Sequence, residues 1–377
     1  MALFEKSTPT NEPIPTVTRQ WILYQYPQRS HPISGSFKLT QRPLCPSTPT
    51  ANTPSTRQGA HKPANKILLR TLWFSNDPAQ RARINNASTD RLYTDFMREG
   101  DVMSATAIGE VIESSHPEYR KGDLVRGAFG WSEYVLADTD SSHDWQLMKI
   151  PPKTNPADFM AMGGTALTAY FGLLSVGAAT SADKTIVVSA AAAAVGSIVT
   201  QIAKNVLGVK RVIGIGSSEE QCNVIKEKCS ADIALNYKSP NFRREFEEAT
   251  PEYVDIYFDI TGGEALELSL RRIARNGRVV ACGAIFRYDS SGEEMIVSAK
   301  AWTNIIFMKA RVEGFTISEF KHRFPEAREQ VFRWVRQGKI HPLKTVWRAK
   351  FEELPQGMVK LLKGEHVGKL VTEIITE

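Results

Sequence analysis

The feature that most constrains the fold is an alternation of short apolar runs with helical patterns across residues 157–315. The runs Lys184–Ala190, Arg211–Ser217 and Val254–Ile260 are largely apolar and rich in β-branched residues, as strands buried on both faces are. Helical patterns such as Val195–Leu207 separate these runs. Strands that alternate with helices form a parallel sheet covered on both sides. The sequence therefore predicts a doubly wound α/β domain over residues 157–315.

The flanking parts of the chain have a different character. Residues 1–156 contain short apolar runs punctuated by Gly and Pro, which predicts a β-rich domain. Residues 316–377 mix helix and strand patterns, and we expect them to complete this first domain. Residues 43–65 are rich in Pro, Ser, Thr and Asn, so they predict a long surface loop or insertion.

Charge and cysteine content exclude several classes of partner. The chain of 377 residues has 47 Lys and Arg against 41 Asp and Glu, without long basic runs, which disfavours nucleic acid and membrane surfaces. The four cysteines are too few and too irregularly spaced for a disulfide framework or a zinc pair. We therefore expect a cytoplasmic protein without a metal. The uncharged stretches 159–182 and 185–203 contain Gly, Ser and Thr and are expected to be buried elements rather than membrane spans.

The strongest indication of a ligand site is the segment Lys184–Ser197. A buried strand there runs into small residues and then into a helix, and backbone N–H groups at such a helix N-terminus can bind a pyrophosphate. Where a dinucleotide turn usually has three glycines, this chain has Ala191, Ala193 and Gly196. The pattern predicts a dinucleotide site at these residues and Val195, and the alternative is a close-packed turn without a ligand.

The end of the next strand favours NADP over NAD. NAD-binding units place an acidic residue about 20 residues past the glycines, where it accepts hydrogen bonds from the ribose. Here the strand ends at Gly214–Ser218 without an acid. Ser217 and Ser218 leave room for a 2′-phosphate.

Longer segments resemble the zinc-independent alkenal and prostaglandin (enone) reductases of the medium-chain dehydrogenase/reductase superfamily. They include RQWILYQYP at 19–27, GEVIESSHPEYRKGDLVRGAFGWSEYV at 109–135, FDITGGE at 258–264 and LLKGEHVGKLV at 361–371. The resemblance implies a GroES-like catalytic domain, a Rossmann-type nucleotide domain, a substrate cleft at their junction and a homodimer. It also implies metal-free hydride transfer from NADPH to the β-carbon of an α,β-unsaturated carbonyl compound.

The resemblance and the ends of the predicted strands together assign the site residues. Tyr288 and His366 are expected to be catalytic, although a surface tyrosine and a solvated loop histidine are the alternatives. The predicted cofactor-binding residues are Ala191, Ala193, Val195, Gly196, Ser217, Ser218, Gln221, Tyr237, Gly283 and Ala284. The predicted substrate cleft contains Asn76, Ala79, Ser104, Trp131 and Thr168, with a core position as the alternative for Trp131.

Several positions depart from the family pattern, and they cluster at the expected site. The departures are Ala193 for the middle glycine, Gln221 for the lysine near the 2′-phosphate, Ala79 for tyrosine, Ser104 and Ala105 for arginine and glycine, and His366 for asparagine. They predict a weakened NADPH site. Two enzymatic functions remain open: reduction of an unusual, bulky enone in secondary metabolism, or a non-redox cyclase or isomerase that has weakened or lost NADPH use. A binding or structural role is the third alternative.

Overall fold

The structure, a computed structural model, describes residues 15–27, 33–44, 65–85, 96–139, 147–285 and 297–375. The chain forms two compact units. The first unit comprises residues 1–159, 346–359 and 371–377, and the second comprises residues 160–345 and 360–370. The predicted insertion at 43–65 falls largely outside the described residues.

The strands are β1 (Val17–Leu23), β2 (Phe37–Pro43), β3 (Lys66–Ser75), β4 (Ala107–Ser114), β5 (Leu124–Gly127), β6 (Tyr134–Asp138), β7 (Met148–Lys149), β8 (Thr185–Val188), β9 (Arg211–Gly216), β10 (Ile233–Asn236), β11 (Val254–Asp259), β12 (Ile273–Ala281), β13 (Arg311–Gly314), β14 (Lys344–Ala349) and β15 (Lys369–Ile374). The α-helices are α1 (Pro78–Arg83), α2 (Pro156–Ala161), α3 (Gly164–Phe171), α4 (Ala194–Gln201), α5 (Glu219–Cys229), α6 (Phe242–Ala249), α7 (Gly263–Arg271), α8 (Ala299–Phe307), α9 (Phe324–Arg336) and α10 (Gln356–Lys363).

The first unit is β-rich, as the sequence predicts. Strands β1 and β2 form an antiparallel pair, and a larger sheet has the order β14-β15-β3-β4-β5-β7, with β6 also paired to β3. The pairing of β15 with β3 joins Val371 to Ser75 and Thr372 to Phe74. Strand β15, the last of the described strands, therefore completes the sheet that β3 to β7 begin.

The second unit contains a six-stranded parallel sheet of order β10-β9-β8-β11-β12-β13. Strand β8 places Ile186 and Val188 in one hydrophobic cluster and Val187 in the cluster on the other face. All three side chains are fully buried. The predicted doubly wound α/β domain is confirmed, because both faces of this sheet are covered.

The second unit extends further along the chain than the predicted nucleotide domain. Residues 316–345 and 360–370, which the sequence assigns to the first domain, belong to the second unit. The physical reason is the apolar stripe of α9, whose Phe324, Val331 and Trp334 share a core cluster with Phe171 of α3. The Trp334 ring lies 5.7 Å from the Tyr170 ring, centroid to centroid.

Residues 156–176 form a helical stretch that is long and apolar enough to cross a membrane by length and composition alone. Of its most apolar window, 61% is buried inside the structure. Leu167, Phe171 and Leu173 are among its buried side chains and belong to the core of the second unit. The packing is that of a core helix, in agreement with the prediction of buried elements.

Gly196 is the position where α4 meets the turn that follows β8. A Cβ atom at Gly196 would lie less than 3.0 Å from the Ala190 carbonyl, closer than real Cβ atoms approach. The contact atoms are backbone, so a side chain there forces the helix away from the turn.

We predict that Gly196→Ala lowers the free energy of unfolding by about 2–3 kcal/mol, the typical cost of overpacking. Gly35→Ala is the matched control, since a Cβ at Gly35 meets no atom within 4 Å. Urea unfolding of both variants measures the effect. Equal midpoints for Gly196→Ala and the wild type would show that α4 does not press on this turn.

Candidate functional site

The turn between β8 and α4 has the geometry of an anion site. Ala193, the residue before α4, has φ −84° and ψ 178°, which any L-residue adopts, so the missing middle glycine costs no backbone strain. The first-turn N–H groups of Ala194, Val195 and Gly196 have no acceptor within the helix. Small side chains and free N–H groups at a helix N-terminus fit the pyrophosphate of a dinucleotide.

A second group of predicted residues lies at the end of β9. Ser218 caps α5 by accepting a hydrogen bond from Gln221 N at 3.2 Å. Gln221 Oε1 accepts two hydrogen bonds from Ser217, one from its N–H (2.9 Å) and one from its hydroxyl (3.0 Å). Gln221 Nε2 donates to the Gly364 carbonyl at 3.1 Å. Every polar atom of the Gln221 side chain is therefore engaged.

The remaining predicted cofactor residues lie at the carboxyl ends of neighbouring strands. Tyr237 follows β10, is exposed, and its N–H donates to the Gly216 carbonyl at 3.0 Å. Lys238 Nζ lies 5.8 Å from the centre of the Tyr237 ring. Gly283 and Ala284 follow β12, where Gly283 N donates to the Asp259 carbonyl at 3.2 Å. The structure thus brings these residues to the edge of the sheet where open α/β folds bind ligands.

Asp259 at the end of β11 holds its own turn. Its carboxylate accepts hydrogen bonds from the N–H groups of Gly262 (2.7 Å) and Thr261 (3.2 Å) and from the Tyr257 hydroxyl (3.1 Å). Burial raises its pKa, and these hydrogen bonds oppose that rise. The role seen here is structural.

The segment Gly364–Gly368, called the tail segment below, lies beside the first two strand ends. Gly368 N donates to the Ala192 carbonyl at 2.7 Å, and Gly368 forms a parallel bridge with Ala193. Gly368 has φ +66°, and a Cβ there would collide with the Leu343 carbonyl, so only glycine fits. The sequence assigns this segment to the first domain, whereas in the structure it belongs to the second unit.

His366 lies in the middle of the tail segment and is partly buried, with its Nδ1 atom shielded from solvent. Burial lowers its pKa to about 4, and the positive charge of Lys369 adds to this effect. Among the described residues, no partner lies within hydrogen-bond distance of the buried Nδ1 atom. His366 is therefore a neutral imidazole at pH 7 with one free polar atom, which the solvated-loop alternative does not explain.

The predicted substrate residues of the first unit include two buried side chains. Asn76 is 1% exposed and its Nδ2 donates to Thr372 Oγ1 at 2.9 Å. Trp131 is fully buried against Phe37, with ring centroids 4.9 Å apart. Substrate contact by Asn76 and Trp131 stays a prediction, and the burial of Trp131 favours its core alternative.

The other two predicted residues of the first unit are Ala79 and Ser104, whose segments are joined by hydrogen bonds of the Gln80 side chain. Gln80 Oε1 accepts from Asp77 N and Gln80 Nε2 donates to the Ser104 carbonyl, both at 2.8 Å. Ala79, next to Gln80 in α1, is exposed. The Ala79 and Ser104 segments are therefore held together, and their contact with a substrate stays a prediction.

The remaining predicted site residues are Thr168 and Tyr288. Thr168 belongs to the second unit, and its hydroxyl donates to the Gly164 carbonyl within α3 at 3.0 Å. Tyr288 lies outside the described residues. Among the residues that the structure describes, no group of three or more His, Cys, Asp or Glu side chains is arranged to hold a metal ion.

Comparison with known proteins identifies the family. Residues 19–144 match the family described as the N-terminal domain of oxidoreductase, and residues 194–333 match the family described as zinc-binding dehydrogenase. The chain is 33% identical to putative NADP-dependent oxidoreductase YfmJ of Bacillus subtilis over 95% of this chain and 98% of that protein. It is 33% identical to prostaglandin reductase 1 of Oryctolagus cuniculus over 94% of this chain and 93% of that protein. The chain belongs to the zinc-independent enone reductases of the medium-chain dehydrogenase/reductase superfamily.

Solved structures agree with this family assignment. The crystal structure of CurA in complex with NADPH from Vibrio vulnificus has a TM-score of 0.78 and 28% identity, and the match covers 95% of this chain and 100% of that chain. Both the fold class and the resemblance predicted from the sequence are therefore confirmed.

The buried state of His366 has a measurable consequence for stability. Because its pKa is lowered from 6.5 to about 4, the unfolded chain binds this proton more readily, and stability falls as the pH drops from about 6.5 towards 4. We predict that the wild type loses about 2 kcal/mol more than His366→Asn between pH 7.5 and pH 5. Urea unfolding at both pH values checks this, and parallel losses in the two proteins would place His366 in water.

Proposed function

We propose that this protein reduces the conjugated carbon–carbon double bond of an α,β-unsaturated carbonyl substrate with NADPH. The observation that carries the proposal is the row of neighbouring strand ends in the second unit, from the β8–α4 turn through Ser217 and Ser218 to Tyr237. Relatives named prostaglandin reductase, 2-alkenal reductase and curcumin reductase support it. The departures at Ala79 and Ser104 favour a bulky substrate, in keeping with secondary metabolism.

Different residues of the second unit would bind different parts of the cofactor. The N–H groups at the start of α4 would hold the pyrophosphate, and the hydroxyls of Ser217 and Ser218 would face the 2′-phosphate. Lys238, next to Tyr237, is a cation near this corner, whereas Gln221 carries no charge. A phosphate contact with a charged group contributes about 1.5–3 kcal/mol, so the exchange of lysine for Gln221 supports a weakened site.

When bound, NADPH would supply the hydride for the β-carbon of the substrate, and the resulting enolate would take the second hydrogen as a proton from water. Tyr288 and His366 then have the same task, which is to donate hydrogen bonds to the substrate oxygen as negative charge develops on it. A tyrosine hydroxyl is protonated at pH 7 and can donate. The neutral His366 can donate from one ring nitrogen but carries no extra proton at pH 7, so its role is polarisation rather than acid catalysis.

The test measures NADPH consumption and product mass with a panel of 2-alkenals and cyclic enones. We expect NADPH to be oxidised and the product to gain two hydrogen atoms, and Tyr288→Phe to lower kcat by about 10²–10³. Tyr253→Phe, at an exposed tyrosine outside the site, is the matched control. A product with the mass of the substrate and no loss of NADPH would replace this proposal with the cyclase or isomerase alternative.

We also propose that the protein is a cytoplasmic homodimer. The cysteines of the described residues, Cys222, Cys229 and Cys282, are free thiols, which suits a reducing compartment. In the described sheet, β13 pairs on one side only, with β12, and all four of its residues are exposed. Antiparallel pairing of two copies about Val312 would set Arg311 opposite Glu313 of the other copy, so this edge is self-complementary.

The neighbouring helix supplies apolar surface for the same contact. Trp302, Ile306 and Phe307 of α8 are 63%, 68% and 72% exposed. Large apolar side chains exposed together mark an interaction surface.

We predict that the wild type sediments at twice the 42.0 kDa chain mass and that Trp302→Asp with Phe307→Asp yields monomers. Tyr24→Asp changes an aromatic residue of the first unit that is 55% exposed, and it should leave the mass unchanged. Analytical ultracentrifugation distinguishes these states. A wild type that sediments as a monomer at micromolar concentration would contradict the dimer.

A further inference from the structure

The Gln221 side chain connects two parts of the second unit that are 143 residues apart in sequence. Its amide oxygen accepts both hydrogen bonds from Ser217, and its amide nitrogen donates to Gly364. The side chain crosses Gly216, where a Cβ would lie 3.1 Å from the Gln221 Cβ. One planar amide therefore joins the end of β9 to the first residue of the tail segment.

The tail segment has further anchors towards its other end. Val367 exchanges two hydrogen bonds with the Thr345 hydroxyl, at 2.8 Å and 3.1 Å. Gly368 N donates to Ala192, and Lys369 N donates to the Leu343 carbonyl at 2.8 Å. Gly364 itself is joined to Leu361 by a turn hydrogen bond. Gln221 is thus the link between the start of the tail segment and the nucleotide side of the sheet.

The two Ser217 donors occupy the place where this fold binds the adenosine ribose. A neutral carbonyl oxygen now accepts both of them. A 2′-phosphate oxygen competes for the same donors, and hydrogen bonds to charged acceptors are about twice as strong as those to neutral ones. The phosphate therefore has the advantage over the Gln221 amide.

Displacement at one end of this amide affects the other end. Oε1 and Nε2 are bound to the same carbon atom, so a rotation that moves Oε1 away from Ser217 also moves Nε2 away from Gly364. An unphosphorylated ribose offers only neutral hydroxyl acceptors, so it has no comparable advantage over the Gln221 amide for the two Ser217 donors.

We propose that Gln221 is a positioning residue that fastens the tail segment, with His366 in it, until a 2′-phosphate takes its place at Ser217. This inference rests on the proposed use of NADPH. Binding of the phosphate at the adenosine end of the cofactor would then free the tail segment, which carries His366, from Gln221. The protein with NADP bound would then differ from the protein with NAD bound in the conformation of the tail segment as well as in affinity.

The first experiment needs no cofactor. Hydrogen–deuterium exchange of the nucleotide-free protein is compared for the wild type, Gln221→Met and Gln221→Glu, which keep the side-chain length but remove the donor to Gly364. We expect the amides of Gly364, Val367 and Gly368 to exchange about fivefold faster in both variants, equivalent to about 1 kcal/mol. Gln337→Met, at the exposed end of α9, is the control. Unchanged exchange in both Gln221 variants overturns the fastening role.

The second experiment adds adenosine 2′,5′-bisphosphate or adenosine 5′-monophosphate to the wild type at concentrations that calorimetry shows to be saturating. We expect faster exchange in the tail segment with the bisphosphate only, and no further change in Gln221→Met. If the bisphosphate binds without faster exchange in the tail segment, or if both nucleotides change this exchange equally, the proposal that the 2′-phosphate releases the tail segment is overturned. If neither nucleotide binds, the release and the proposed use of NADPH both fail, while the nucleotide-free comparison still decides the fastening role.

Discussion

The close approach of α4 to the carbonyl of Ala190 is the contact on which the arrangement of the site depends. Gly196 lets the helix start directly against the turn, so that the N–H groups of its first turn emerge at the end of β8. The same turn offers the Ala192 carbonyl to Gly368. One position without a side chain therefore shapes both the predicted anion site and the attachment of the tail segment.

The buried sheet of the second unit could be predicted from the sequence because its physics is local. Strands covered on both faces need continuous apolar runs, and β8, β9 and β11 have them. β13 escaped prediction because its sequence, Arg-Val-Glu-Gly, belongs to an exposed edge strand. The helix pattern within residues 316–377 was visible in the sequence, but an amphipathic pattern does not say which unit a helix packs against.

The candidate site was predictable to the extent that it follows from the ends of parallel strands. Ser217, Tyr237 and Gly283 lie where the strand pattern places them. The contact between Gln221 and Gly364 depends on two distant parts of the chain, and no local pattern reports it. The burial of His366 could not be predicted either. A Gly-Glu-His sequence is typical of a solvated turn, whereas the surrounding segment shields the ring.

The late position of β15 in the chain has a consequence for synthesis in the cell. Because β15 pairs with β3 across about 300 residues of sequence, the larger sheet of the first unit cannot be completed until the residues of β15 have left the ribosome. Until then the edge of β3 that receives β15 has no partner strand, and an unpaired edge invites aggregation. A nascent chain with this arrangement therefore exposes one strand edge for longer than a chain whose sheets close in the order of translation.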